Sequence, residues 1–174
     1  MSADPTSGGN PGVASEPTPE SVLGHLEFAD KALQMLRCAR SEVLIFSYDL
    51  DRRIYSSEPL VKLLRGFLLE HRRGRLRGLV QSPRSVTQGA HRLVELARSL
   101  SSRMEFRECT DSWRESGEEY LIVDQRQLLI KSDRHEVEAR YYADAPLLAR
   151  EQLRQFENAW QVSTVSREFS DLRL

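Results

Sequence analysis

The sequence predicts an α/β domain: a mostly parallel central sheet with an antiparallel hairpin edge and helices on both faces. Three observations carry this. Short apolar runs rich in strand formers alternate with segments of helical periodicity through the first two thirds of the chain. Pro and Gly stand at the joints between them, as at Pro59, Gly74 and Pro83. After an acidic stretch the pattern changes to three closely spaced strands and one long amphipathic helix.

In order along the chain, a helix from about Leu26 to Arg40 gathers Phe28, Ala32, Met35, Leu36 and Ala39 on one face. Val43 to Phe46 form a strand that runs into the acidic loop Asp49-Leu50-Asp51. Ser57 is placed to cap a helix with Pro59 in its first turn and Leu60, Leu64, Phe67 and Leu68 at helical spacing, and Gly74 ends it. Leu76 to Val80 read as a second strand closed by Gln81-Ser82-Pro83. Thr87 is then placed to cap a helix carrying Leu93, Leu96, Ala97 and Leu100, and Met104 and Phe106 alternate with charges as in a half-exposed strand. Tyr120 to Asp124 and Leu128 to Ile130 make a hairpin, and Val137, Ala139 and Tyr141 alternate in a further strand. The last helix starts near Asp144, with Pro146 in its first turn and Ala149, Leu153, Phe156 and Trp160 along one side. Strands joined by right-handed crossovers put a functional crevice at their carboxyl ends.

The 174 residues carry a formal net charge of -1 and suit one domain. Residues 1–21 contain four of the seven prolines, three acids and no Lys or Arg, with almost no bulky apolar side chain. Such a segment cannot offset its ordering entropy, so a disordered tail over 1–21 and a folded domain over 22–174 are expected. No apolar run approaches a membrane span of roughly 18 residues, and the N-terminus lacks the basic start and apolar core of a secretory signal. Cys38 and Cys109 stand 71 positions apart and share no ligand spacing with His25, His71, His91 or His135. No disulfide framework, metal or cofactor is expected, and a reducing cytoplasm is the expected location. GxGxxG, GxxxxGK[ST] and GxSxG are absent.

Two charged segments stand out. Residues 62–92 hold Lys62, Arg65, Arg72, Arg73, Arg75, Arg77, Arg84 and Arg92 against the single acid Glu70. Arginine meets phosphate bidentately, so this stripe either contacts a polyanion or lines solvated faces and a helix end. Residues 105–119 hold six acids against Arg107 and Arg114, with Trp113 among them. Trp113 either anchors a protein partner or folds back over the core. His91 falls in the first turn of a helix, as a crevice residue or a cap. Asp49 and Asp51 lie at the carboxyl edge of the first strand and read as turn residues.

In the second half, Tyr120-Leu121-Ile122-Val123-Asp124, the hairpin to Leu129-Ile130-Lys131-Ser132, Val137 to Pro146 and a helix ending Phe156-x-x-x-Trp160 resemble the phospholipase D superfamily. The element order over residues 26–165 is similar to one half-domain of that family. Active members carry His-x-Lys-x-x-x-x-Asp at this strand. Matching Asp124 to the motif aspartate puts Gly117 at the histidine, which is the nucleophile, and Glu119 at the lysine, which holds phosphate. Glycine supplies no nucleophile and Glu119 repels phosphate. In the following hairpin motif only Ser132 is kept, with Lys131 in place of glycine and Arg134 near the asparagine.

The resemblance thus implies a single degenerate copy, a pseudoenzyme similar to uncharacterised bacterial domains that can occur beside an acetyltransferase domain. The leading expectation is a non-catalytic module that binds a phosphorylated small molecule or nucleic acid through Arg84, His91, Ser132 and Arg134. A protein-interaction or homodimerisation module acting through the Trp113 loop is the alternative. A hydrolase of unrecognised chemistry, for instance through His91 and Asp49, is the third.

Overall fold

The computed structural model describes residues 17–86 and 91–169. The elements in order are β1 (Glu20–Leu23), α1 (Gly24–Arg37), β2 (Glu42–Ser47), α2 (Arg52–Tyr55), α3 (Glu58–Glu70), β3 (Arg75–Val80) and α4 (Pro83–Val86). There follow α5 (Arg92–Ser99), β4 (Met104–Glu108), α6 (Asp111–Arg114), β5 (Glu119–Val123), β6 (Gln127–Lys131), β7 (Glu138–Tyr142), α7 (Pro146–Val162) and β8 (Thr164–Val165).

The eight strands of the described residues join one sheet in the order β1-β7-β6-β5-β2-β3-β4-β8. Only β2, β3 and β4 run parallel, and every other pairing is antiparallel. The expectation of a mostly parallel sheet is therefore corrected, for a reason visible in the connections. The links after β2 and β3 carry α3 and α5 back across the sheet, which lets the next strand start at the same edge. The link after β4 carries only the one-turn α6, so β5 starts where β4 ends and runs the opposite way beside β2. The β5–β6 hairpin is also not an edge, because β7 and then β1 extend the sheet beyond it.

Strand alternation divides the core into two layers. Val43, Ile45, Leu76, Val80, Leu121 and Val123 pack with the apolar stripes of α1, α3 and α5. Leu44, Phe46, Leu79, Tyr120 and Ile122 face Ala149, Phe156, Ala159 and Trp160 of α7. Gly78 in β3 lies under the Phe106 ring, and a Cβ there would fall 2.1 Å from it.

Two expectations shift at element starts. Residues 1–16 of the expected tail lie outside the described residues, whereas Glu20 and Ser21 are in β1, paired with Tyr141 and Arg140. Thr87 also lies outside them, and the cap of α5 is His91.

The hairpin turn at the lower edge, where β2, β3 and β4 begin, is tightly tied. Asp124 has φ 51° and its carboxylate accepts from the backbone N–H of Arg40, Ser41 and Glu42 at 2.8, 2.8 and 2.9 Å and from Ser41 Oγ at 2.8 Å. Burial pushes the Asp124 pKa up, but these donors outweigh it and hold the group below the usual carboxylate range. Beside it Arg77 pairs with Glu42 at 2.9 Å and Glu157 at 2.6 Å and lies over the Phe156 and Trp160 rings. Arg75 sits 3.6 Å from Glu42. Two of the stripe's arginines are thus committed to the fold, while Arg72 and Arg73 are exposed at the α3–β3 turn.

Candidate functional site

At the opposite, upper edge of the sheet a crevice of about 440 Å³ opens between the ends of β1, β2 and β6 and the start of β5. That volume suits a small ligand. Gly24, His25 and Phe28 come from the start of α1, Ser47, Tyr48, Asp49 and Asp51 from the end of β2 and its loop, and Arg53, Ile54 and Tyr55 from α2. Glu119 comes from β5, Lys131 from β6, and Arg134 to Val137 from the β6–β7 loop.

The β2 loop forms the acidic wall. Ser47 Oγ donates to Glu119 Oε1 at 2.9 Å and accepts from the Leu50 N–H, while the Tyr48 N–H donates to the same Oε1 at 3.0 Å. Leu50 has φ 54°, so the chain turns sharply there, and its buried side chain pins the loop to the core. Asp51 caps α2 through the Arg53 N–H and pairs with the Arg53 guanidinium at 2.6 Å. Asp49 lines the cavity without an ion-pair partner among the described residues. Burial, then the charges of Glu119 and Asp51, push its pKa up. Tyr55 is only 4% exposed, and its hydroxyl makes no hydrogen bond among the described residues. Burial beside Glu119 and Asp51 raises its pKa, so it stays a neutral donor.

The β6–β7 loop forms the basic wall. Lys131 is the cross-strand partner of Glu119, with Nζ 4.0 Å from Oε2 and donating to the Arg134 carbonyl at 3.1 Å. The Arg134 guanidinium lies over the Tyr48 ring at 4.3 Å, and its Nε donates to His135 Nε2 at 3.3 Å. The Arg134 N–H donates to the Gly117 carbonyl at 2.6 Å, which ties this loop to the approach to β5. A Cβ at Gly117 would fall 2.9 Å from Asp133 Oδ2, so a larger residue there requires Asp133 to move.

The residues expected to form a ligand site do not all converge. Arg134 lines the crevice. Ser132 is exposed and accepts from Arg140 at 2.6 Å. Arg84 lines a different hollow of about 250 Å³, with Gln81, Ser82, Pro83, Glu108 and Arg114.

His91 departs furthest from a ligand role. It is 2% exposed, its Nδ1 accepts from the Leu93 N–H at 3.3 Å, and its Nε2–H donates to the Leu50 carbonyl at 3.0 Å. Desolvation depresses its pKa, which favours the neutral ring that these two bonds require. Trp113, considered as a partner anchor, is half-buried and packs against the core layer beneath α7. Glu119 lies in the crevice, whereas Asp124 lies at the far end of the same strand, where it holds the turn.

Sequence reasoning missed Lys131, Tyr48 and Tyr55 as crevice residues. Counting across the hairpin finds the first, because a turn centred on Gln125 pairs Val123 with Gln127 and therefore Glu119 with Lys131. Tyr55 gives no such signal, since the one-turn α2 is too short to show a period.

Comparison with known proteins agrees on the architecture. A family model described as Domain of unknown function (DUF7931) matches residues 25–173. No curated protein matches the sequence. Among solved structures, the chain is similar to Nuc, a phospholipase D family member from Salmonella typhimurium, at 13% identity and a TM-score of 0.60. That match covers 86% of this chain and 99% of the other. NucT from Helicobacter pylori matches at 9% identity and a TM-score of 0.61, covering 87% of this chain and all of that one. TrmBL2, an archaeal chromatin protein described with a novel mode of DNA binding, matches at 15% identity and a TM-score of 0.64. Here 89% of this chain covers 54% of the other. At these identities the likeness establishes the fold. Among the described residues no helix is long and apolar enough to cross a membrane.

Proposed function

The chain belongs to the family described as domain of unknown function DUF7931, and from that premise and its phospholipase D-like fold we propose a binding module that lacks phosphohistidine chemistry. Its ligand is phosphorylated and sits in the upper crevice. The observation that carries this reading is the wall of Lys131 and Arg134 on one side of a small-molecule-sized cavity whose β5 position holds Glu119. By the motif match, Gly117 stands where the nucleophilic histidine belongs and Glu119 where the lysine belongs, so the domain is a degenerate half-domain. Glu119 is held by Ser47 and Tyr48, which leaves phosphate to Lys131 and Arg134. Stacking on Tyr48 preorganises the Arg134 guanidinium, the side chain whose planar fork suits phosphate oxygens.

Calorimetric titration of the full chain with ethyl phosphate, and incubation with a chromogenic phosphodiester, test this reading together. Saturable binding that weakens by about tenfold in Arg134→Ala, with no turnover above buffer, is the expected result. Turnover that disappears in His135→Ala or His25→Ala, the two histidines lining the crevice, overturns the non-catalytic part.

A further inference from the structure

The crevice carries more negative charge than a bare phosphate tolerates. Four acids, Asp49, Asp51, Glu119 and Glu136, line it against three cations, Arg53, Lys131 and Arg134, and Arg53 is taken up by Asp51 at 2.6 Å. Glu119 spends Oε1 on Ser47 and Tyr48, while its Oε2 has only the loose 4.0 Å approach of Lys131. Asp49 has no cation within ion-pair distance among the described residues, although half-burial makes its charge costly there. A third group points the same way independently. The Tyr55 hydroxyl belongs to a residue more than nine-tenths buried, lines this cavity and has no hydrogen-bond partner among the described residues. Its oxygen is not one of the fully buried unpaired atoms, so it opens onto the cavity, where a ligand atom can meet it.

Resting on the crevice reading above, we propose that Asp49, Glu119 and Tyr55 form an ammonium subsite beside the phosphate wall, and that the ligand is a phosphorylated primary amine. The ammonium supplies the missing positive charge to Asp49 and Glu119 and donates to the Tyr55 oxygen. Its three donors suit three acceptors on one wall. The phosphate meets Lys131 and Arg134 on the other. Because Lys131 Nζ and Glu119 Oε2 are 4.0 Å apart, the two subsites adjoin, and the ligand's two charges lie a few bonds apart.

Titrating the full chain with phosphoethanolamine and with ethyl phosphate, which keeps the phosphate and drops the amine, tests the proposal. Phosphoethanolamine binds more tightly by about tenfold or more. Glu119→Gln, which still accepts from Ser47 and Tyr48, and Asp49→Asn each remove that preference while leaving ethyl phosphate unchanged or tighter. Tyr55→Phe, a change without charge or volume cost, narrows the preference by a smaller factor. Equal affinity for the two probes in the wild type overturns the ammonium subsite and leaves the phosphate reading intact. A variant that weakens both probes alike assigns the acids a structural role and overturns it too. Binding of neither probe overturns the crevice reading itself. Vesicles containing phosphatidylethanolamine separate the sources: sedimentation of the chain with them, competed by phosphoethanolamine, identifies a lipid headgroup, and its absence identifies a soluble metabolite.

Discussion

The two edges of the sheet carry similar numbers of charges and use them in opposite ways. At the lower edge Asp124 collects four hydrogen bonds, and Arg77 satisfies Glu42 and Glu157 while covering Phe156 and Trp160. At the upper edge Asp49 has no close cation, Glu119 and Lys131 stand 4.0 Å apart, and the Tyr55 hydroxyl is idle. Charges paired in this way hold a fold together, although Arg77 Nε is left buried without a hydrogen bond. Charges held apart by a rigid frame stay open to a ligand, and on the reading proposed above that difference separates structure from site.

The comparison breaks most visibly at Asp124. Asp124→Ala leaves three backbone N–H groups without their acceptor, and a loss of about 2–3 kcal/mol in denaturant unfolding is expected. Ligand affinity of the folded fraction stays the same, because the turn is a strand length from the crevice. The mirror experiment is Lys131→Ala. Ethyl phosphate affinity falls by several-fold to about tenfold, while stability changes by no more than about 0.5 kcal/mol, the usual range for a loosely paired, partly exposed charge.

A third prediction sharpens the upper edge from beneath. His91 is held neutral in the fold and its pKa is lowered, so the unfolded chain takes up a proton first as pH falls. Its contribution is complete above the unfolded value of about 6.5. It is lost as pH falls from there through the folded value. Chemical unfolding at pH 7.5 and pH 5 should show this decline, and His91→Asn should flatten it. The smallest effect belongs to the exposed turn. Arg72→Glu with Arg73→Glu should leave ethyl phosphate affinity unchanged in physiological salt, since the turn lies at the far edge, beyond a Debye length of about 8 Å. A large loss there would move the site to the arginine turn and favour a nucleic-acid surface.

Periodicity made the long elements legible. Phe28, Ala32, Met35 and Leu36 mark α1, Leu60, Leu64, Phe67 and Leu68 mark α3, and all eight are buried. The middles of β2 and β5 are continuously apolar, Val43 to Phe46 and Leu121 to Val123, because both faces of the sheet are covered there. Strand direction was not legible, because it depends on whether α6 is long enough to recross the sheet, and four residues are not. Nor was β1, where Val22 alone is buried and pairing with β7 supplies the order. Of the residues singled out in the sequence, Arg134 and Glu119 line the crevice, and His91 takes the cap rather than the crevice position, two roles that share one sequence signature.

The central claim, that ligand binds at the upper edge while the lower edge only holds the fold, is tested most directly by backbone amide chemical shifts of the full chain during titration with ethyl phosphate. Saturable shifts at Tyr48, Asp49, Glu119 and Lys131 to Glu136, with Asp124 and Arg72 to Arg77 unmoved, are predicted. Shifts confined to Arg72 to Arg77, or to the hollow of Arg84 and Arg114, with the crevice silent, would contradict the account.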